Sequence, residues 1–271
     1  MALRYCVLAS GSSGNALWVQ GGGVELLVDC GIAVKTAAAH LASVDSRVEE
    51  IQAVVCTHFH GDHVGNVAAL SRKSGALLHG TQRTLDGIPL EPAPERLRLL
   101  KQRGSLRIGG LTVRTAPTPH DAPGSICVVV TDGERSVGLV TDLGTITAAV
   151  ETHLAGVDGL VIELNHDWDM LRDGPYPPHL KRRIASDLGH LSNDQGAELL
   201  GRLAHPGLQH VTLAHLSEHN NLPELARDAA EEALAAAGVS PVLAIGAQRK
   251  PGSVVTLGPS RRGGQLKLPL G

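Results

Sequence analysis

The residues with the clearest chemical potential in this sequence are Thr57-His58-Phe59-His60-Gly61-Asp62-His63, an HxHxDH run. Imidazoles and a carboxylate packed this densely are ligands for a cation. His58 and His60, two apart in an extended turn, can converge on one ion. Asp62 and His63, at the start of the following element, can converge on a second ion close by. The same residues in an ordinary solvated turn would do no chemistry, but their position between a strand and a helix points to a metal site. The apolar run Ala53-Val54-Val55-Cys56 before the motif predicts the strand, and Val64 to Ser74 after it predicts the helix.

Composition bounds what such a site serves. The chain has 271 residues, 42% hydrophobic and 2% aromatic, so its core must be built from Leu, Val, Ala and Ile, and base-stacking platforms are scarce. A net charge of −3 argues against diffuse binding of nucleic acid over the whole surface, though not against a local basic patch. Cys6, Cys30, Cys56 and Cys127 each sit in an apolar run with no CxxC pair, the pattern of buried, reduced thiols. No signal peptide and no run of membrane-spanning length is visible, so the expectation is a soluble, cytoplasmic protein with no membrane partner.

The flanking elements alternate between strands and helices, which indicates α/β. Strands are expected at Arg4 to Ala9, Ala16 to Gln20, Val24 to Val28, Ala76 to His79, Leu111 to Ala116, Ser125 to Thr131, Ser136 to Thr141, Gly159 to Leu164, His210 to Ala214, Pro241 to Ile245 and Ser253 to Thr256. Ser10-Gly11-Ser12-Ser13-Gly14-Asn15 either closes a hairpin or cradles a phosphate with its free N–H groups. Helices are expected at Ala33 to Ser43, Thr145 to Leu154 and Pro178 to Asp187. Two more are expected after Ser192, with Gln195 completing a capping box, and after Asn221, read as a cap with Pro223 in the first turn. Residues 81 to 104, rich in Pro, Arg and Glu, read as a loop or lid.

The HxHxDH run resembles the motif of the metallo-β-lactamase superfamily. That resemblance implies an αβ/βα sandwich of two mixed sheets flanked by helices, here over residues 1–258 as one domain, and the Gly-, Pro- and Arg-rich residues 259–271 read as a mobile tail. It also implies one or two metals. The superfamily's later ligands are matched at strand ends by His120, Asp142 and His215. One ion would take His58, His60, His120 and Asp142, and the other Asp62, His63, Asp142 and His215, with Asp142 bridging. Asp29 would support the metal loops without being a ligand, or else simply cap a turn. The remaining His40, His79, His153, His179, His205 and His210 lack such context and read as structural or exposed.

A second constellation narrows the branch. Gly189-His190-Leu191-Ser192-Asn193 resembles the GHS-type motif of the RNase Z branch. Independently of any family, His190 lies just ahead of a capped helix N-terminus, where an anion is favoured. Lys181, Arg182 and Arg183 precede it, either as a nucleic-acid contact or as a solvated helix face. Together with Ser10 to Asn15, Asn165-His166-Asp167, Tyr176 to Ile184 and Ala214 to Asn221, the chain looks like the YycJ/WalJ group. That resemblance implies a 5′→3′ DNA exonuclease with two divalent metal ions, zinc or manganese. In this scheme Asp62 and His190 are catalytic, and Glu163 or His166 orients His190. Ser12, Ser13, Asn15 and Lys181 to Arg183 face the phosphates. The alternatives are a hydrolase of small cyclic phosphodiesters, or a metal-containing regulatory protein without turnover.

Overall fold

The computed structural model describes residues 2–89 and 94–259. The expected tail from 260 onward lies outside the described residues. The first half of the chain forms β1 (Arg4–Ala9), β2 (Ala16–Gly21), β3 (Val24–Val28), α1 (Val34–Ala42), β4 (Ile51–Val55), α2 (Gly61–Val64), α3 (Val67–Ser74), β5 (Leu77–Gly80), α4 (Gln82–Asp86) and β6 (Leu97–Leu99). The second half forms β7 (Gly104–Ile108), β8 (Leu111–Pro117), β9 (Ile126–Thr131), β10 (Ser136–Val140), α5 (Ala148–Leu154) and β11 (Gly159–Glu163). It continues with α6 (Trp168–Asp173), α7 (Pro178–Ile184), α8 (Asn193–Leu203), β12 (His210–Ala214), α9 (Pro223–Ala236), β13 (Val242–Ile245) and β14 (Val255–Thr256).

The strands make two seven-stranded mixed sheets, ordered β14-β1-β2-β3-β4-β5-β6 and β13-β12-β11-β10-β9-β8-β7. Each opens with an antiparallel meander and continues parallel: β1 to β3 then β3 to β6, and β7 to β10 then β10 to β13. The two halves therefore repeat one plan, which the sequence does not display as a repeat. Strand β9 shows why the layers stack. Ile126, Val128 and Val130 enter the core between the sheets, whereas Cys127 and Val129 enter the core under the helices. Both faces are apolar, so the run reads as continuously hydrophobic. A third core, containing Trp18, Leu41, Val54 and Leu70, packs α1 and α3 on the outer face of the first sheet. All four cysteines are free and buried.

Several local expectations differ from the structure. The helix expected after the HxHxDH motif is two helices, α2 and α3, broken at Gly65-Asn66, where the Asn66 side chain donates to the Gly31 carbonyl. The region read as a loop carries α4, capped by Thr81, and strand β6. Residues 90–93 of it lie outside the described residues. Strand β7 and helix α6, the latter capped by Asp167, were not anticipated. Asn221 does not cap α9: its side chain donates to the carbonyls of Leu164 and Asn165 and pairs reciprocally with Asn193. The capping box at Ser192 and Gln195 is present.

Candidate metal centre

The site lies beyond the carboxyl ends of β3, β4, β8, β10, β11 and β12. Its side chains come from the loops there, except Glu163, the last residue of β11, and Asp62 and His63, which lie in α2. The β3 loop locks the motif loop in place. Cys30 donates to the His63 carbonyl at 2.8 Å, Asn66 to Cys30 at 3.1 Å, and Asn15 to the Asp62 carbonyl at 2.7 Å. Gly31 is required there, since a Cβ would fall 1.8 Å from the Asp62 carbonyl oxygen.

Four overlapping groups bring ligand atoms within 4.8 Å of one another: His58, His60 and His120; His58, His63 and Asp142; Asp62, His63 and His215; and Asp142, Glu163, His190 and His215. Asp142 presents Oδ2 to His63 Nε2 at 3.1 Å and Oδ1 to His120 and His215 Nε2, each at 3.7 Å. Outside this cluster, the second ring nitrogens are held. His63 Nδ1 lies 2.8 Å from Asp29 Oδ2, and His215 Nδ1 2.9 Å from Glu163 Oε1. His58 Nδ1 meets Thr57 Oγ1 at 3.1 Å, and that hydroxyl donates to Asp29. His120 Nδ1 donates to the Gly189 carbonyl at 3.2 Å. Such outer partners fix the tautomer and aim the free nitrogen inward. The inward atoms His58 Nε2, His215 Nε2 and Asp142 Oδ2 are buried with no hydrogen-bond partner. A buried polar atom left unpaired costs about 1–3 kcal/mol, and several converging on one space fit a cation pair.

Electrostatics agree with that fit. Burial and the neighbouring His63 push the His58 imidazole well down, and burial and His120 lower that of His60. Burial opposes charge on Asp142, yet the surrounding imidazoles of His215, His63 and His58 hold it well below the usual carboxylate range. Against the cost of burial, Asp142 and the outer carboxylates raise His63 strongly and His215 to about 10. Glu163 is fully buried, but His190 and His215 draw its carboxyl down to about 2. It also accepts from the N–H groups of Leu143 and Leu191.

Eleven residues singled out from the sequence thus meet here: Asn15, Asp29, His58, His60, Asp62, His63, His120, Asp142, Glu163, His190 and His215. Asn15 Nδ2 lies 3.0 Å from His63 Nε2 and 3.3 Å from Asp62 Oδ2. Of the two residues expected to orient His190, the one in contact with it is Glu163, whose Oε1 lies 2.9 Å from His190 Nδ1. His166 is buried with both ring nitrogens unpartnered and its ring edge-on to Trp168. Ser12 and Ser13 are exposed at the hairpin tip. Lys181 donates to the Arg172 carbonyl at 2.6 Å, tying α7 to α6, and Arg182 is exposed without a partner among the described residues. Arg183 reaches the site through Asp121, which the sequence reading passed over. Its adjacency to His120 was the available signal. Ser10, which accepts from the His215 N–H at 2.7 Å, was likewise missed.

A family model described as "Beta-lactamase superfamily domain" matches residues 25–216. Exodeoxyribonuclease WalJ of Streptococcus pneumoniae is 34% identical over 231 residues, covering 83% of this chain and 86% of the relative. Exodeoxyribonuclease YycJ of Bacillus anthracis is 32% identical over 237 residues, covering 86% and 90%. The metallo-beta-lactamase fold protein YhfI of Bacillus subtilis superposes with a TM-score of 0.70 over 94% of this chain and 99% of its own, at 18% identity, a likeness of fold alone. With residues 25–216 inside the family model and about a third of its aligned residues shared with WalJ and YycJ, the chain belongs to the metallo-β-lactamase superfamily and, within it, to the WalJ/YycJ group.

Proposed function

We propose that the chain is a dinuclear metal-dependent phosphodiester hydrolase acting as a 5′→3′ DNA exonuclease. The observation that carries this reading is the Glu163–His190 pair at the edge of the cluster. The carboxylate takes Nδ1 and leaves Nε2 without a partner among the described residues, on a ring only partly exposed. A thioester, whose thiolate leaves unprotonated, gives such a poised imidazole no task, whereas a phosphodiester must have its leaving oxygen protonated. The names of the WalJ and YycJ relatives support a DNA substrate.

His58, His60, His120 and Asp142 would hold one ion, and Asp62, His63, His215 and Asp142 the other. When bound, two such ions, zinc or manganese, acidify a water and neutralise charge on the phosphate oxygens. Asp62, braced by Asn15, orients the attacking water and accepts its proton. Burial opposes its charge, but His215 and His63 keep it ionised. His190 delivers a proton from Nε2 to the departing oxygen, and Glu163 holds the ring in that orientation. Arg182 and the outer nitrogens of Arg183 offer positive charge to the backbone at the mouth.

The test is an end-labelled DNA assay, duplex and single-stranded, with manganese or zinc. Ladder-free release of terminal nucleotides is expected, and no metal-dependent product in either format would refute the reading. A small cyclic phosphodiester is the second candidate. It is favoured by the tie of Lys181 to the Arg172 carbonyl, which takes one of the three cations of α7 away from a polymer's backbone. A higher kcat/KM on cyclic nucleotides than on DNA would select it.

A further inference from the structure

His60 differs from the four other histidines assigned above as ligands. Their outer nitrogens are taken by Thr57, Asp29, the Gly189 carbonyl and Glu163. His60 turns Nδ1 toward His120 Nε2, 3.2 Å away, and Nε2 outward, where Asp121 Oδ1 stands at 3.4 Å. That oxygen is buried without a hydrogen bond and stands equally 3.4 Å from His120 Nε2. His120, however, carries its proton on Nδ1 toward the Gly189 carbonyl, so of the two rings only His60 can offer it an N–H. The other oxygen of the same carboxylate, Oδ2, accepts from Arg183 Nε at 2.5 Å. The Asp121 backbone is fixed as well, its N–H donating to the Leu188 carbonyl at 3.0 Å.

We propose that Asp121 is the positioning residue of His60, holding its Nε2–H so that Nδ1 faces the metal space, and that Arg183 clamps Asp121 in that role. The proposal rests on the reading of His60 as a ligand. A neutral imidazole carries one proton, and whichever nitrogen holds it cannot bind an ion. A carboxylate beside Nε2 keeps the proton there and leaves the Nδ1 lone pair free. Without Asp121, the ring loses both its orientation and its preference between tautomers. Because Arg183 leads from helix α7, the segment that would meet the substrate backbone, one guanidinium braces a ligand with Nε while its two other nitrogens face outward. Among the described residues those two have no partner.

The experiment is zinc titration of the metal-stripped protein against a chelating dye, with the thermal midpoint of each stripped variant as a control for folding. His60→Ala is expected to weaken one equivalent and leave the other. Asp121→Ala should weaken that same equivalent about 10–100-fold, the usual effect of losing an outer partner. Asp121→Asn, which keeps a neutral acceptor, should recover part of the loss, and Arg183→Gln should give a smaller loss of the same kind. In the double variant, Asp121→Ala should add nothing to His60→Ala, since its effect runs through that ring. Wild-type affinity in Asp121→Ala, or losses that multiply in the double variant, would overturn the proposal alone. Two tight equivalents in His60→Ala would remove the ligand reading and the proposal with it.

Discussion

Asp29, Asp142 and His215 carry the backbone angle that side chains least favour, with φ of 61°, 59° and 57°. Among described non-glycine residues only Asp45 shares it. Each of the three closes a strand of the site, and each is held there by contacts that over-determine it, as expected where strain serves function. The left-handed turn ends the strand abruptly and swings the side chain over the sheet edge, which a continuing strand could not do. From this follows a division of labour. Asp142→Ala removes the residue that faces both halves of the cluster, so it is expected to lose bound metal together with activity. His190→Ala should keep its full metal content, because that imidazole stands in neither ligand set. It should lose kcat by about 10²–10⁴-fold with little change in KM. Elemental analysis beside steady-state kinetics of both variants checks this. Loss of a metal equivalent from His190→Ala would place that imidazole among the ligands instead.

At the scale of elements, the site is a set of loops that interlock more than they pack. Gly31→Ala shows how closely. Its new Cβ cannot coexist with the Asp62 carbonyl, so the motif loop must shift, carrying Asp62 and His63 with it. Weaker metal binding and a lower thermal midpoint are expected together. Unchanged metal affinity in the purified variant would show that the loop absorbs the clash elsewhere. The same interlocking explains what the sequence made legible. His58 to His63 are neighbours in the chain, and His120, Asp142 and His215 each follow an apolar run, so spacing and strand ends expose them. Asp121 gains its interest from His60 and Arg183, both far along the chain, and no local pattern announces such a meeting. Asn221 misled for a related reason. Its position before Pro223 is that of a cap, but its amide is claimed by Asn193 and two distant carbonyls. The region of α4 and β6 lacks periodicity because β6 is a short edge strand with exposed Arg98 and Leu99.

For the whole molecule, acid is the expected weakness. Burial depresses the imidazole of His79 to about 4, helped by nearby Arg98, and burial does the same to His153, beside Arg114. Both are neutral in the fold and ordinary in the unfolded chain, where such rings titrate near 6.5. The unfolded state therefore binds more protons between about pH 6.5 and pH 4. Stability from these two groups is complete above the higher value and is lost as pH falls toward the lower. His79 has neither ring nitrogen bonded, so His79→Leu should fold and should flatten the fall of thermal midpoint by up to one proton. Equal slopes in His79→Leu and wild type across that window would show that other groups set the acid limit.

The duplicated plan of the two sheets has a mechanical meaning. Asp29 and the HxHxDH residues hang from one half, while His120, Asp142 and His215 hang from the other, so a filled site is a clasp across a seam. Stripping the ions should do more than silence chemistry: it should leave two sets of loops facing each other across unpaired charge and lone pairs. Chelation is then expected to raise amide exchange in both sets at once, around Thr57 to Asn66 and around Asp142 and His215. The sheet cores should stay protected, and zinc or manganese should restore both sets at a single concentration. Exchange that rises on one side only would mean the halves are joined by their apolar faces alone, with the ions as passengers of one of them.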